Sequence, residues 1–497
     1  MTAVWNVARV ERSYPALNRD LKVDVAIIGG GVTGLSTAVR LVEEGRKIVV
    51  LESGRVGGAS SGSSTGNLYA TLSQGLRSVR SKWDEDALRD VVAVRSAALN
   101  DIERRIERYS LDCAFARRPL YFALPEPDAE QQQMLEAEYE ASLLGGLSAR
   151  IVQEIQELPV PVRRALRIEN QAQYNPLRYV QELARVVAGQ GGQVFENSPV
   201  ADVDASEGAV STRHGIVKAT QIVFATHTPK GINLLQAEME PSREYGVAAP
   251  LSGNAHPQGI FWLLDRFHSV RTYDHQDQAW LVVIGEKHPT GHGEAGEARY
   301  LKLEEYARAH FDVENFSHRW SAQQYRTADL LPYIGRSAHD NVYVGTGYAA
   351  DGLTWGEVAA QIVSNQIVGR EAAGGRLFNP RRFTPVKSAK RWAELNAKVA
   401  KHLTSDYFNL GKLENLEEVA AGEGKVVKLD GENVAVYRAK DNSLSVLSPV
   451  CPHMKCIVKW NAADLSWDCP CHGSRFATDG SVIEGPAYAP LKRLESR

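Results

Sequence analysis

Short apolar runs and amphipathic stretches alternate along the first part of the chain. Val23 to Ile28 is a strand-like apolar run interrupted by Asp24 and ended by Gly29-Gly30-Gly31. Leu35, Val39, Leu41 and Val42 then recur at helical spacing, and Lys47 to Leu51 is a second buried-strand run ending at Glu52. Residues 80–170 are rich in helical periodicity, as in LRDVVAVRSAALNDIERRIERY, with Arg and Glu on the opposite, solvated face. Strand-like runs return between 243 and 285 (EYGVAAPL, IFWLL, SVRTY, AWLVVIG) and again in HRWSAQQYR, 318–326. At Gly374 the pattern breaks into the basic, Gly/Pro-rich GGRLFNPRRFTPVK. The helical stretch that follows sets Trp392, Leu395, Val399 and Leu403 on one narrow stripe with lysines opposite. A narrow stripe favours a clip between domains over a membrane-surface anchor. VVKLD, VAVYRA and LSVLSP then read as short strands of a small antiparallel β domain. The expected organisation is an α/β Rossmann-type domain with an interleaved α+β substrate subdomain over 1–373, a linker with an amphipathic helix over 374–412, and an all-β domain over 413–497.

Composition narrows the partners. The formal net charge is −3, which gives no electrostatic footprint for nucleic acid. No run of eighteen apolar residues exists, so no membrane span is expected, and the N-terminal stretch lacks an apolar h-region. A cytoplasmic location follows as the expectation. Of 5 cysteines, four crowd into residues 451–471 and only Cys113 stands apart.

That crowd carries the sharpest chemical signal, Cys451-x-His453 followed by Cys469-x-x-His472. Two thiolates and two imidazoles are the ligand set of a Rieske [2Fe–2S] centre. At this chain's Cys and His content the four positions coincide by chance about 7 times in 10⁸ per register. A Cys₂His₂ zinc site uses the same ligand types, but Cys-x-His is tighter than the usual zinc pairs. Cys456 and Cys471 sit just inside each half, where a bridge between two loops would lie. The segment resembles the Rieske family beyond its ligands. Ser474 matches the serine that bonds a bridging sulfide, and Gly485-Pro486-Ala487 looks like the loop that covers the cluster. The respiratory type of the family implies a Cys456–Cys471 disulfide, in tension with a reducing compartment. Phe476 replaces that type's tyrosine and removes an O–H donor. A reduction potential below that type's is therefore expected, within roughly −150 to +300 mV.

The second signal is Gly29-x-Gly31-x-x-Gly34 between strand and helix, with Glu52 closing the next strand. In that setting the glycines admit a pyrophosphate at a helix N-terminus, and Glu52 accepts from a ribose hydroxyl. Over roughly 20–370 the chain resembles the D-amino-acid-oxidase (DAO) superfamily, which makes the expected nucleotide FAD and the first domain FAD-binding. Gly57 to Asn67 is similar to that family's second flavin-contacting segment, and the resemblance marks Ser53, Ser60, Ser61, Val200 and Ala225 as cofactor residues. VYVGTGYAADGLTWG, 342–356, resembles the C-terminal flavin turn and adds Gly345, Gly347, Gly352, Leu353 and Thr354. No His or Cys lies in 57–68, so FAD is expected to be non-covalent, and His227 reads as a solvated loop histidine. Arg271, Arg326, Tyr69 and Tyr348 are the candidates for substrate or flavin contact, with Tyr273, Trp320 and Tyr325 beside them on the predicted sheet.

Two redox groups on one chain imply a relay. The expectation is an oxidoreductase that takes a hydride from an amine or amino acid and passes electrons through the cluster to an external protein or quinone acceptor. Flow in the reverse direction stays open. The alternatives are an O₂-using amine oxidase with a structural or regulatory cluster, and a redox carrier or sensor without its own substrate.

Overall fold

The apolar run expected as the first strand is Leu21–Ile28, and it lies inside the N-terminal sheet, flanked by parallel partners Ile48–Leu51 and Ile216–Phe224. These strands belong to a computed structural model that describes residues 2–231, 233–252, 256–292, 296–406, 411–412, 416–429 and 431–494. Continuous Val/Ile runs suit a parallel strand covered on both faces. Helices Val32–Glu43 and Gly352–Ile367 pack together on one face, with Pro176–Gly189 beside the first. The strand order is Tyr333–Arg336, Val342–Thr346, Ile216–Phe224, Leu21–Ile28, Ile48–Leu51 and Gln193–Phe195. This is the expected α/β Rossmann-type layer.

A second, nine-stranded sheet forms a roof over it. His318–Thr327, Met239–Pro250, Gln278–Pro289, His268–His275 and Ile260–Leu263 run in that order, as the strand-like runs predict. The sheet continues through Ala116–Leu124 and Arg164–Gln173, which correct the helical reading of 80–170. Helices Glu85–Tyr109 and Ala129–Leu144 are present, but ARRPLYFAL between them is a strand. Its buried half, Leu120 to Leu124, packs into an apolar cluster with Ile168 and Ile260, and burial of that run decides the strand over local helical periodicity.

Two four-stranded sheets make the C-terminal unit. One joins Gly411–Lys412, Gly424–Leu429, Glu432–Arg438 and Leu444–Leu447; the other joins Lys459–Asn461, Ser466–Asp468, Arg475–Ala477 and Val482–Glu484. Gly411–Lys412 thus pairs on the C-terminal side of the expected 412/413 border, and residues 407–410 and 413–415 around it lie outside the described residues.

Helix Pro385–Ser405 crosses between the units. Leu395 is buried, and Val399 and Leu403 pack on the C-terminal core. Asn396 donates to Ala237 O at 3.0 Å, and Arg391 and Lys398 bond Glu240 of the roof. Trp392 is 44% exposed, so it falls off the stripe that the periodicity assigned to it. Among the described residues no helix is long and apolar enough to cross a membrane.

Candidate functional site

The glycine turn after the first strand lines a cavity, hereafter the nucleotide cavity. Gly29 has φ +114°, which favours glycine, and a β-carbon on Gly34 would stand 2.0 Å from Gly29 O. Strand end and helix start therefore touch through bare backbone. Glu52 is fixed at the rim, its two carboxylate oxygens accepting from Gly30 N (2.7 Å) and Gly54 N (2.8 Å). Ser61 Oγ accepts from Val32 N at 3.0 Å. Around the cavity stand Gly29, Gly31, Glu52, Ser53, Ser60, Ser61, Ala225, Gly352 and Leu353, nine of the expected cofactor residues. Five others do not line it. Gly34, Gly345 and Gly347 serve close packing, against Gly29 O, Tyr348 and Thr327 respectively. Val200 belongs to the core beneath the sheet, and Thr354 Oγ1 accepts from Tyr69 N at 3.4 Å.

A chamber of about 700 Å³ adjoins this cavity under the roof and shares Thr65, Glu244, Ile284 and Ala350 with it. Glu244 is the acidic residue common to both. Burial pushes its carboxyl up, against the opposing pull of Lys287 and Gln324. Lys287, on the neighbouring strand, reaches Gln324 Oε1 at 3.2 Å, and burial pushes its ammonium down. Arg326 lines the chamber and faces Glu240 at 3.4 Å. Tyr69 also lines it, with its hydroxyl donating to Asp351 Oδ1 at 2.7 Å. Tyr348 and Trp320 line the nucleotide cavity instead.

Arg271 does not reach either space. Its guanidinium donates to the carbonyls of Thr65 (3.1 Å) and Tyr174 (3.3 Å) beneath Trp5, and burial brings it down to about 9. A clamp on substrate is therefore corrected to a structural cation that ties the roof to the second flavin-contacting segment. Tyr273 is likewise committed, accepting from Asn175 Nδ2 at 2.8 Å.

In the C-terminal unit two loops face each other, and each closes on its own backbone. Cys451 N donates to Cys456 O (2.8 Å), and Cys469 N to Ser474 O (2.8 Å). Cys456 and Cys471 form a disulfide, while Cys451 and Cys469 stay free and buried. The Nδ1 atoms of His453 and His472 are buried without a hydrogen-bond partner, and the two rings lie 5.0 Å apart. Burial brings His472 down to about 4, which keeps its imidazole neutral and able to ligate. His453 Nε2–H donates to Gln236 Oε1 of the N-terminal unit at 2.9 Å, which leaves Nδ1 free for a metal. Two free thiols and two orphaned imidazole nitrogens fit a [2Fe–2S] cluster. Ser474 Oγ accepts from Ala487 N at 3.1 Å, and Phe476 lies fully buried among the four cysteines.

One side chain stands between the two sites. Tyr325 O–H is within 3.3 Å of both His472 O and Gly485 O, and Gln323 Nε2 donates to its oxygen at 2.9 Å. Gly485 and Gln323 themselves line the nucleotide cavity. His227 packs edge-on against the same tyrosine, with ring centroids 4.8 Å apart. It is no solvated loop residue. Its Nδ1 meets Ser60 Oγ and Glu484 Oε1, each at 3.1 Å. Arg243, fully buried in the roof, pairs with Asp464 of the C-terminal unit at 2.5 Å. Sequence reasoning missed Glu244, Lys287, Gln236 and Glu484, for which no motif gives a signal.

The FAD dependent oxidoreductase (DAO) family model matches residues 24–366, and the Rieske [2Fe-2S] domain model matches 410–495. The Rieske 2Fe-2S iron-sulfur protein YhfW of Bacillus subtilis is 30% identical over 505 residues, covering 99% of this chain and 97% of its own. Gamma-glutamylputrescine oxidoreductase of Escherichia coli is 24% identical over 72% of this chain and 86% of its own. Glycine oxidase from Geobacillus kaustophilus superposes with a TM-score of 0.61 at 19% identity, over 73% of this chain and 100% of that one. With both sites built as these folds require, the chain belongs to the FAD-dependent oxidoreductase family of D-amino-acid-oxidase type and carries a C-terminal Rieske [2Fe–2S] domain.

Proposed function

We propose that this chain oxidises an amine or amino acid and delivers the electrons to an external acceptor other than O₂. The single observation that carries the reading is Tyr325, whose hydroxyl touches both the carbonyl of cluster ligand His472 and the cavity-lining Gly485. That hydroxyl links a cluster loop to a residue of the cavity wall. When bound, FAD supplies a two-electron hydride acceptor and the [2Fe–2S] cluster a one-electron outlet.

The chain's own residues do the rest. Backbone at Gly29 and Gly31 and the start of helix Val32–Glu43 would hold the pyrophosphate, and Glu52 a ribose hydroxyl. The start of helix Gly352–Ile367 would face the isoalloxazine and favour its anionic state. Cys451, Cys469 and the Nδ1 atoms of His453 and His472 would hold the cluster. In the adjoining chamber Glu244 takes the substrate's ammonium, and its carboxylate accepts the proton that leaves a neutral amine behind. Lys287 and Arg326 offer cationic partners for a carboxylate. The amine reading is supported by gamma-glutamylputrescine oxidoreductase among the relatives.

Anaerobic titration of the holoenzyme with amines and amino acids tests the reading, with the flavin followed by absorbance and the cluster by EPR. Flavin bleaching followed by a Rieske EPR signal is the expected result. Bleaching with a silent cluster would defeat the electron outlet, and rapid reoxidation by O₂ with peroxide release would favour an oxidase. No bleaching by any amino compound would defeat the substrate class.

A further inference from the structure

The last strand of the C-terminal unit, Val482–Glu484, ends inside the nucleotide cavity. Ile483, Glu484 and Gly485 line that cavity together with residues of the N-terminal sheet. Glu484 Oε1 accepts from Ser60 Oγ at 3.3 Å and from His227 Nδ1–H at 3.1 Å. Ser60 and His227 line the same space. The contact continues beyond Glu484, because Gly231 N donates to Pro486 O at 2.9 Å and the Lys230 ammonium sits 5.7 Å from the centre of the Tyr488 ring. The segment 483–488 is thus laid along the 227–231 turn.

Two features make Glu484 more than a docking contact. A carboxylate removed from water costs several kcal/mol unless it is paired. Among the described residues its own unit supplies Arg475, at 3.6 Å, and the hydrogen bonds come from the other unit. His227, for its part, holds φ +68° without being glycine. Such a backbone persists where surrounding contacts over-determine it. Here the carbonyl accepts from Thr346 Oγ1 at 2.7 Å, and the side chain is fixed by Glu484. Without Glu484 the turn keeps the Thr346 bond and the ring keeps Ser60 and Tyr325 beside it, but the charged partner of Nδ1 is lost.

We propose that the FAD site is composite, with the cluster unit supplying Glu484 to fix Ser60 and His227 in the conformation that retains the cofactor. The proposal rests on FAD occupying this cavity, as above, but not on the substrate or on the direction of electron flow. Linkage makes the effect reciprocal, so bound FAD must tighten the docking of the cluster unit by the same factor.

The test uses the full-length holoprotein without substrate. FAD dissociation is measured from flavin fluorescence released on dilution, and the cluster from the EPR of the dithionite-reduced protein. Glu484→Ala is expected to weaken FAD binding at least ten-fold with the cluster signal unchanged. Glu484→Gln, which can still accept from Ser60, should fall between that variant and the parent. His227→Ala combined with Glu484→Ala should lose little more than either alone. An FAD affinity within two-fold of the parent in Glu484→Ala, with the cluster intact, would overturn the proposal. Should the alanine variant lose its cluster, the near-isosteric Glu484→Gln decides by the same measurement, and an unchanged affinity there overturns it equally. Because neither readout involves amine oxidation, failure here is distinct from failure of the substrate reading.

Discussion

At Glu244 two demands meet. A group that accepts a proton from an ammonium must be ionised at working pH, yet burial raises this carboxyl from its ordinary value. Lys287 opposes the rise without removing it. The sign of the pH effect follows. Below the raised value Glu244 is protonated and cannot accept, so kcat/KM should fall as pH drops through a point above the ordinary glutamate range. Glu244→Gln should lower kcat/KM by roughly 10²–10⁴-fold and erase that acid limb. A variant with full activity and an unchanged profile would remove Glu244 from the chemistry. Legibility at this scale depends on chain separation. Four cluster ligands and a disulfide pair fall within 22 consecutive residues, so the sequence displays them together. Glu484 and Ser60 are 424 residues apart, and nothing local at either position announces the bond. Arg271 shows the converse. An arginine on a roof strand is readable, but whether it points to the chamber or to backbone carbonyls depends on Trp5 and Tyr174, far from it in sequence.

Among elements, the Rossmann-type strand-turn-helix was legible because its apolar run ends in glycines, and the roof strands because β-branched and aromatic residues recur in short runs. ARRPLYFAL was not, since a nine-residue strand between two amphipathic helices offers too little period of its own. The short strands that carry the second cluster loop are three residues each and are fixed by pairing, not by propensity. Docking of that unit on the roof runs through Arg243, whose charge is wholly buried against Asp464. Removing one partner of a buried pair typically costs about 3–5 kcal/mol when the other is left unpaired; here Arg475 still faces Asp464, so the cost is smaller. Arg243→Ala should therefore lower the thermal midpoint and open the helix Pro385–Ser405 to limited proteolysis. Adding a neutral residue at Asp464 should recover part of the loss, although Asp464 also holds Arg475 at 3.1 Å. If the double variant is as unstable as the sum of the singles, the pair is not coupled and the interface is held elsewhere.

At the scale of the whole molecule, both cluster histidines are tied to the N-terminal unit. His453 Nε2 is bonded to Gln236, and the His472 carbonyl is held by Tyr325, both from the N-terminal unit. Gln236 and Tyr325 thus tie both histidine-bearing loops to the N-terminal unit that holds the nucleotide cavity. Tyr325→Phe isolates that arrangement. The ring and its packing on His227 remain, but the one O–H shared by the two carbonyls is lost and Gln323 loses an acceptor, at about 1–3 kcal/mol for a buried group left unpaired. The chain is large enough, and Arg243–Asp464 and the 385–405 helix independent enough, for both units to stay folded and loaded. What should change is the register between them. In anaerobic stopped flow with a reducing amine, flavin bleaching should keep its rate while the cluster signal appears several-fold more slowly. Equal slowing of both phases would mean that Tyr325 acts on the substrate side. If neither phase slows, electrons leave the cavity by a path that does not depend on this wall.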